Sequence, residues 1–182
     1  AKAVAYINSD STSKSWLEVS GSHSLQTFVN ELMRDLPDPT REKKSLYDAK
    51  VDRLLSQAKT DEEKAAIDRR RYVPIGALGS GSDYTVFLDH LTIASLDMGF
   101  GGEGSSSGVY HSTYDSFYWY THFSDTDFAY GAALSRTIGT AILRLAGADI
   151  LPFECTDPAA PLHGYANELD KLRKDTKDAP PL

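Results

Sequence analysis

Cysteine is almost absent from this chain: Cys155 is the only one in 182 residues. One thiol forms no internal disulfide and no Cys-x-x-Cys metal knuckle, and Cys155 reads as a small, buried apolar residue. Positive charge is scarce too, with 19 Lys and Arg against 26 Asp and Glu, a net charge of -7 and a pI near 5.2. Nucleic acid is bound by clustered basic side chains that displace counterions; no such cluster occurs, which argues against nucleic acid as a partner. No run of 18 or more apolar residues is present to span a membrane, and the first residues lack the basic-then-apolar layout of a secretory leader.

What is present suits one folded domain, since 41% hydrophobic and 10% aromatic residues can fill a core. The chain opens without methionine in a strand-like run, residues 3–8, and closes on a charged and then proline-rich stretch, 171–182. The expectation is a piece excised from something larger.

Residues 4–8 form a short apolar run before the turn-forming Asn8, Ser9, Asp10 and Ser11, the pattern of a buried strand that delivers polar groups at its C-terminal end. Leu25, Phe28, Val29, Leu32 and Leu36 recur at helical spacing behind Ser24 as N-cap, until Pro37 stops them. Two polar helices are expected over 46–57 and 61–70, lying on the surface, with Thr60 and Glu63 as a capping box. A glycine-rich turn at 76–81 leads into a helix over 83–90, and 93–96 reads as a second strand. Residues 99–108, with five glycines and three serines, read as a loop. Phe128, Leu134, Ile138, Ile142 and Leu145 mark the best helix, over 127–145. Alternating strand and helix signals indicate an α/β layered fold.

Three features bear chemistry: Asp10 at a strand end, the loop Gly79-Ser80-Gly81-Ser82-Asp83, and His111 behind the glycine-rich stretch. Singly, each has a plain structural explanation as a turn residue, a loop or a hydrogen-bonded histidine. The loop lacks the lysine of a phosphate-binding loop and the spacing of a dinucleotide fingerprint. A Ser-His-Asp triad from Ser80 or Ser82 with His111 is conceivable, yet the full Gly-x-Ser-x-Gly elbow occurs nowhere. Carboxylate and imidazole suit Zn²⁺ better, although a zinc site needs at least three protein ligands and two stand out.

Five stretches in the same order resemble landmarks of glutamate carboxypeptidase II-like zinc peptidases. They are Ala5-Tyr6-Ile7-Asn8-Ser9-Asp10, Lys44-Ser45-Leu46-Tyr47, Leu78-Gly79-Ser80-Gly81-Ser82-Asp83, Tyr110-His111-Ser112 and Ile150-Leu151-Pro152-Phe153-Glu154-Cys155. Residues 110–131 are more similar to bacterial members of that family than to animal ones. The resemblance implies a three-layer α/β/α sandwich around a mixed sheet. It also implies a C-terminal part of the catalytic domain over 1–165 with a polar helical insert at about 40–71, and the start of a helical dimerisation region over 166–182.

For the site, the resemblance implies two zinc ions, with Asp10 a ligand of one and His111 of the other. Tyr110 would be the catalytic tyrosine whose hydroxyl faces the tetrahedral intermediate, where a donor is worth several kcal/mol. Ser80, Gly81 and Ser82, with Tyr110, would hold the peptide substrate, and Asp83 would brace the loop. The implied chemistry is attack by a metal-activated water with a glutamate as base. That glutamate and the remaining ligands lie, by the same resemblance, in a missing N-terminal half, so this chain alone is expected to bind zinc weakly and to be inactive. A homodimer and an extracellular or periplasmic location are likewise implied.

One departure concerns substrate. Where animal members of the family carry arginines that favour acidic side chains, this sequence has Leu96-Asp97-Met98-Gly99, and Asp97 would repel a glutamyl group. The competing readings are a non-catalytic, transferrin-receptor-like domain, against which the presence of both Asp10 and His111 weighs, and a binding module built on Tyr110, Tyr114, Phe117, Tyr118, Trp119 and Tyr120. Those aromatics are expected to pack beneath the cleft.

Overall fold

The computed structural model describes residues 3–70, 72–102 and 108–176. Three strands, β1 (Tyr6–Asn8), β2 (Trp16–Gly21) and β3 (Ser95–Gly101), make a mixed sheet in the order β1-β3-β2. β1 runs parallel to β3 and β2 antiparallel, so Asn8 and Ser20 flank Asp97 on either side. The helices are α1 (Gln26–Asp35), α2 (Leu46–Gln57), α3 (Asp61–Asp68), the short α4 (Phe117–Trp119), α5 (Ala129–Ala146) and α6 (Ala159–Asp175).

The pleat of β3 separates two faces. Leu96, Met98 and Phe100 are buried with Leu17 against Phe28, Val29 and Leu32 of α1 and Ala133, Leu134, Ala141 and Leu145 of α5. Alternate residues point the other way, so Tyr6 and Asn8, Trp16, Glu18 and Ser20, and Asp97 and Gly99 share the second face. The 84–90 segment reaches that face through Phe87, stacked on Tyr6 with ring centroids 3.9 Å apart.

Several expectations change. β1 starts at Tyr6 rather than Val4. A 3-10 turn over His23–Leu25 precedes α1, whose N-cap is Leu25 with no side-chain bond, so Ser24 does not cap it. β2 was not anticipated. The second strand begins at Ser95 and continues through Gly101, so Gly99 to Gly101 are strand rather than loop; residues 103–107 of that stretch lie outside the described residues. Glycine belongs there because the chain after Asp10 crosses the strand: a Cβ on Gly99 would lie 2.8 Å from the Ser11 carbonyl oxygen.

The 83–90 helix is largely a π-turn over Val86–His90. α2 matches its expected bounds, α3 ends at Asp68, and the Thr60–Glu63 capping box is present. α6 begins at Ala159, earlier than the sequence implied, and the proline-rich residues 177–182 lie outside the described residues. Cys155 is exposed rather than buried.

Candidate functional site

β1 ends at Asn8, and the next turn brings Asp10 over the polar face of the sheet. Asp10, Ser11, Glu18, Ser20 and Asp97 line a pocket of about 250 Å³ there, floored by the backbone of residues 98–102. The Gly79–Asp83 loop closes against it: Ser82 donates to Asp10 Oδ2 at 2.6 Å. Asn8, almost fully buried, donates through Nδ2 to Ser82 Oγ at 3.2 Å and to Asp97 Oδ1 at 2.9 Å. Two sequence-predicted residues 72 positions apart, Asp10 and Ser82, are thus in direct contact.

The other loop residues are placed more loosely. Gly81 has φ +114° and open space where a Cβ would be. Ser80 is exposed, and its carbonyl accepts the Tyr84 hydroxyl at 3.3 Å. Asp83 is exposed, and the bracing expected of it is done by Ser82 and Asn8.

Tyr110 arrives from the opposite side. With Val109, Asp115, Trp119 and Tyr120 it lines a smaller cavity, about 120 Å³, whose other wall is Ser11, Thr12 and Ser13. The loop carrying Tyr110 therefore rests on the segment that follows Asp10. His111 sits beside it with φ +57°, exposed and stacked on the Tyr110 ring at 3.7 Å between centroids. Among the described residues no hydrogen bond joins His111 to Asp10.

Behind this cavity α4 runs into a second π-turn, Tyr120–Ser124. π-turns concentrate at functional sites, and here one follows each loop of the site. Tyr120 donates to buried Asp125 Oδ2 at 3.0 Å, and Asp125 also receives the backbone N–H groups of Tyr130 and Gly131 at the start of α5. Burial first, then the Asp125 carboxylate, pushes the Tyr120 phenol up to about 12. The remaining aromatics do not pack beneath a cleft: Tyr110, Tyr114, Phe117 and Tyr118 are exposed, because they sit on a surface loop and a one-turn helix.

At the far wall, Glu18 pairs with Lys50 and Arg53 from α2, and burial lowers the Lys50 pKa. Asp10 and Asp97 have no Lys or Arg partner among the described residues. Sequence reasoning passed over Asn8 and Glu18; the alternation of Leu17 and Val19 with Trp16 and Glu18 was the available signal for the strand that places Glu18.

Asp10 and His111 are donors of the kind zinc takes. Among the described residues, however, no three His, Cys, Asp or Glu side chains come together as a metal site. Asp10 and His111 alone fall short of the three protein ligands that a zinc site needs.

No protein-family model matches the chain. It is similar to a probable glutamate carboxypeptidase of Arthroderma benhamiae, 35% identical over 179 residues, which are 96% of this chain and 22% of that protein. The probable glutamate carboxypeptidase LAMP1 of Arabidopsis thaliana is 30% identical over 171 residues, 93% of this chain and 22% of its own length. Aminopeptidase NAALADL1 of Mus musculus is 27% identical over 171 residues, with 90% and 22% covered. The chain thus spans about a fifth of the length of these relatives.

Proposed function

Because this chain belongs to the glutamate carboxypeptidase-like peptidases, we propose that it forms part of the catalytic domain of a zinc exopeptidase acting on short peptides. The observation that carries this is the meeting of Asp10 with the Ser82 loop at 2.6 Å, over a pocket whose neighbouring cavity is lined by Tyr110. In this reading Asp10 and His111 each supply one ligand to a different metal ion. Ser80, Gly81 and Ser82 hold the peptide, and the Tyr110 hydroxyl faces the reacting carbonyl. The other ligands and the general base come from the part of the relatives that this chain does not cover, so no hydrolytic step is assigned to the chain alone.

Asp97 narrows the substrate. Its carboxylate shares the pocket with Asp10 and has no Lys or Arg partner among the described residues, so an acidic side chain entering there meets like charge, and neutral or basic peptides are preferred. The resemblance also supports an extracellular or periplasmic location and a homodimer that uses α6.

Two measurements test the proposal. Calorimetric titration of this chain with zinc is expected to give affinity weaker than micromolar, and micromolar binding would contradict an incomplete site. In a peptidase of the relatives' length that carries this segment, Asp10→Ala is expected to lower kcat/KM by about 100-fold or more. Undiminished hydrolysis by that variant would overturn the assignment.

A further inference from the structure

Asn8 is 4% exposed, and the roles assigned above leave it unused. It ends β1 opposite Asp97 of β3. Its Nδ2 donates to Ser82 Oγ at 3.2 Å and to Asp97 Oδ1 at 2.9 Å, while its Oδ1 accepts the Tyr6 hydroxyl at 3.3 Å. The orientation of the amide follows from its neighbours: an ionised Asp97 only accepts, so it must face the nitrogen. Both amide hydrogens are then spent, one on Asp97 and one on Ser82.

That leaves one arrangement for Ser82. A serine hydroxyl has a single hydrogen; Oγ accepts from Asn8, and the Asp10 carboxylate 2.6 Å away can only accept. The hydroxyl hydrogen therefore points at Asp10 Oδ2. One amide thus acts on two carboxylates, Asp97 directly and Asp10 through Ser82. Tyr6 holds the amide from behind, itself stacked on Phe87 of the segment that follows the Ser82 loop.

We propose that Asn8 is the positioning residue of this site: it fixes the Ser82 hydroxyl as a donor to Asp10 while pinning Asp97, so that both carboxylates face one pocket with one oxygen of each engaged. The functional weight of this relay rests on the peptidase reading of Asp10; the relay itself is a matter of hydrogen-bond direction and is read without metal or substrate.

The test is NMR on the isotope-labelled 182-residue chain in metal-free buffer. A hydroxyl hydrogen pointed at a carboxylate gives a deuterium isotope shift at the carboxyl carbon, and this shift is expected at Asp10 Cγ. Ser82→Ala is expected to abolish it and to leave the Asp97 Cγ resonance in place. Asn8→Asp keeps the side-chain shape but loses the donors; it is expected to abolish the Asp10 isotope shift without touching Asp10 and to move Asp97 Cγ as well. Retention of the Asp10 isotope shift in Asn8→Asp would overturn the proposal, since Ser82 would then orient itself.

If the added carboxylate in Asn8→Asp prevents folding, hydrogen exchange in the unsubstituted chain and Ser82→Ala decides. Both Asn8 side-chain hydrogens are expected to exchange slowly, and Ser82→Ala is expected to release one of them. Fast exchange of both in the unsubstituted chain would equally overturn the relay. A relay that survives these tests beside undiminished hydrolysis by Asp10→Ala would sink the peptidase reading alone.

Discussion

Asp125 is 1% exposed, and it receives three donors: the Tyr120 hydroxyl and the backbone N–H groups of Tyr130 and Gly131. An anion at a helix start meets unpaired N–H groups and the positive end of the helix dipole. The consequence for Tyr120 runs in one direction. Its folded pKa, about 12, lies above the ordinary value of 10, so its neutral form is favoured in the folded chain. The stability this contributes is fully present below pH 10 and is lost as pH rises from about 10 to 12. Alkaline difference absorbance is expected to show one of the 10 tyrosines ionising late. Asp125→Ala is expected to bring that tyrosine to lower pH and to cost about 2–3 kcal/mol in denaturant unfolding, from a lost cap and an unpaired phenol. An unchanged titration in Asp125→Ala would show that burial alone raises Tyr120. Nothing in Phe123-Ser124-Asp125 announces this role, because the partners of Asp125 depend on a π-turn that places Tyr120 above it. Asn8 was hidden for a similar reason: it stands within a recognisable strand end, but the groups its amide donates to lie 74 and 89 residues away.

Elements whose stability is local were readable, and those set by distant packing were not. α2 and α3 carry their own start signals. Ser45 with Asp48 and Thr60 with Glu63 form reciprocal capping boxes, each using side chains three positions apart. The amphipathic stripe of α1 was equally legible, since Phe28, Val29 and Leu32 are buried together. β2 and the far end of β3 were missed because Gly21, Gly99 and Gly101 resemble turn residues. In fact Gly21 and Gly99 let backbones approach, a Cβ on Gly21 lying 2.7 Å from the Ser95 carbonyl oxygen. The local origin of α3 makes a sharp expectation. α3 buries no residue, so Thr60→Ala should cost about 1 kcal/mol of local helix stability. Amide exchange within α3 should accelerate while the core strands β1 and β3 keep their protection. Equal acceleration in β3 would mean that α3 is coupled to the core.

At the scale of the whole molecule, α6 stands apart from a core that α1, α5 and the sheet already complete. It has no buried residue and carries Leu162, Tyr165, Leu169 and Leu172 along one stripe. Polar contacts tie it to the rest of the chain. The His23 ring nitrogen Nε2 and the Tyr165 hydroxyl lie 3.0 Å apart, and Asp157, just before the helix, accepts from the backbone N–H and hydroxyl of Thr27 at 2.8 and 2.9 Å. Leu162 and Leu172 remain 61% and 63% exposed, and single leucines need no explanation but a helix-long stripe does. If a second copy of the chain covers it, as the proposed homodimer requires, sedimentation velocity will show a concentration-dependent dimer. Leu169→Lys with Leu172→Lys should then shift the population to monomer. Neither side chain enters the core, so the monomer's own unfolding free energy should change by no more than about 0.5 kcal/mol per substitution. A dimer that survives both lysines would place the contact elsewhere, and the exposed aromatic loop around Tyr114 and Phe117 would be the next surface to substitute.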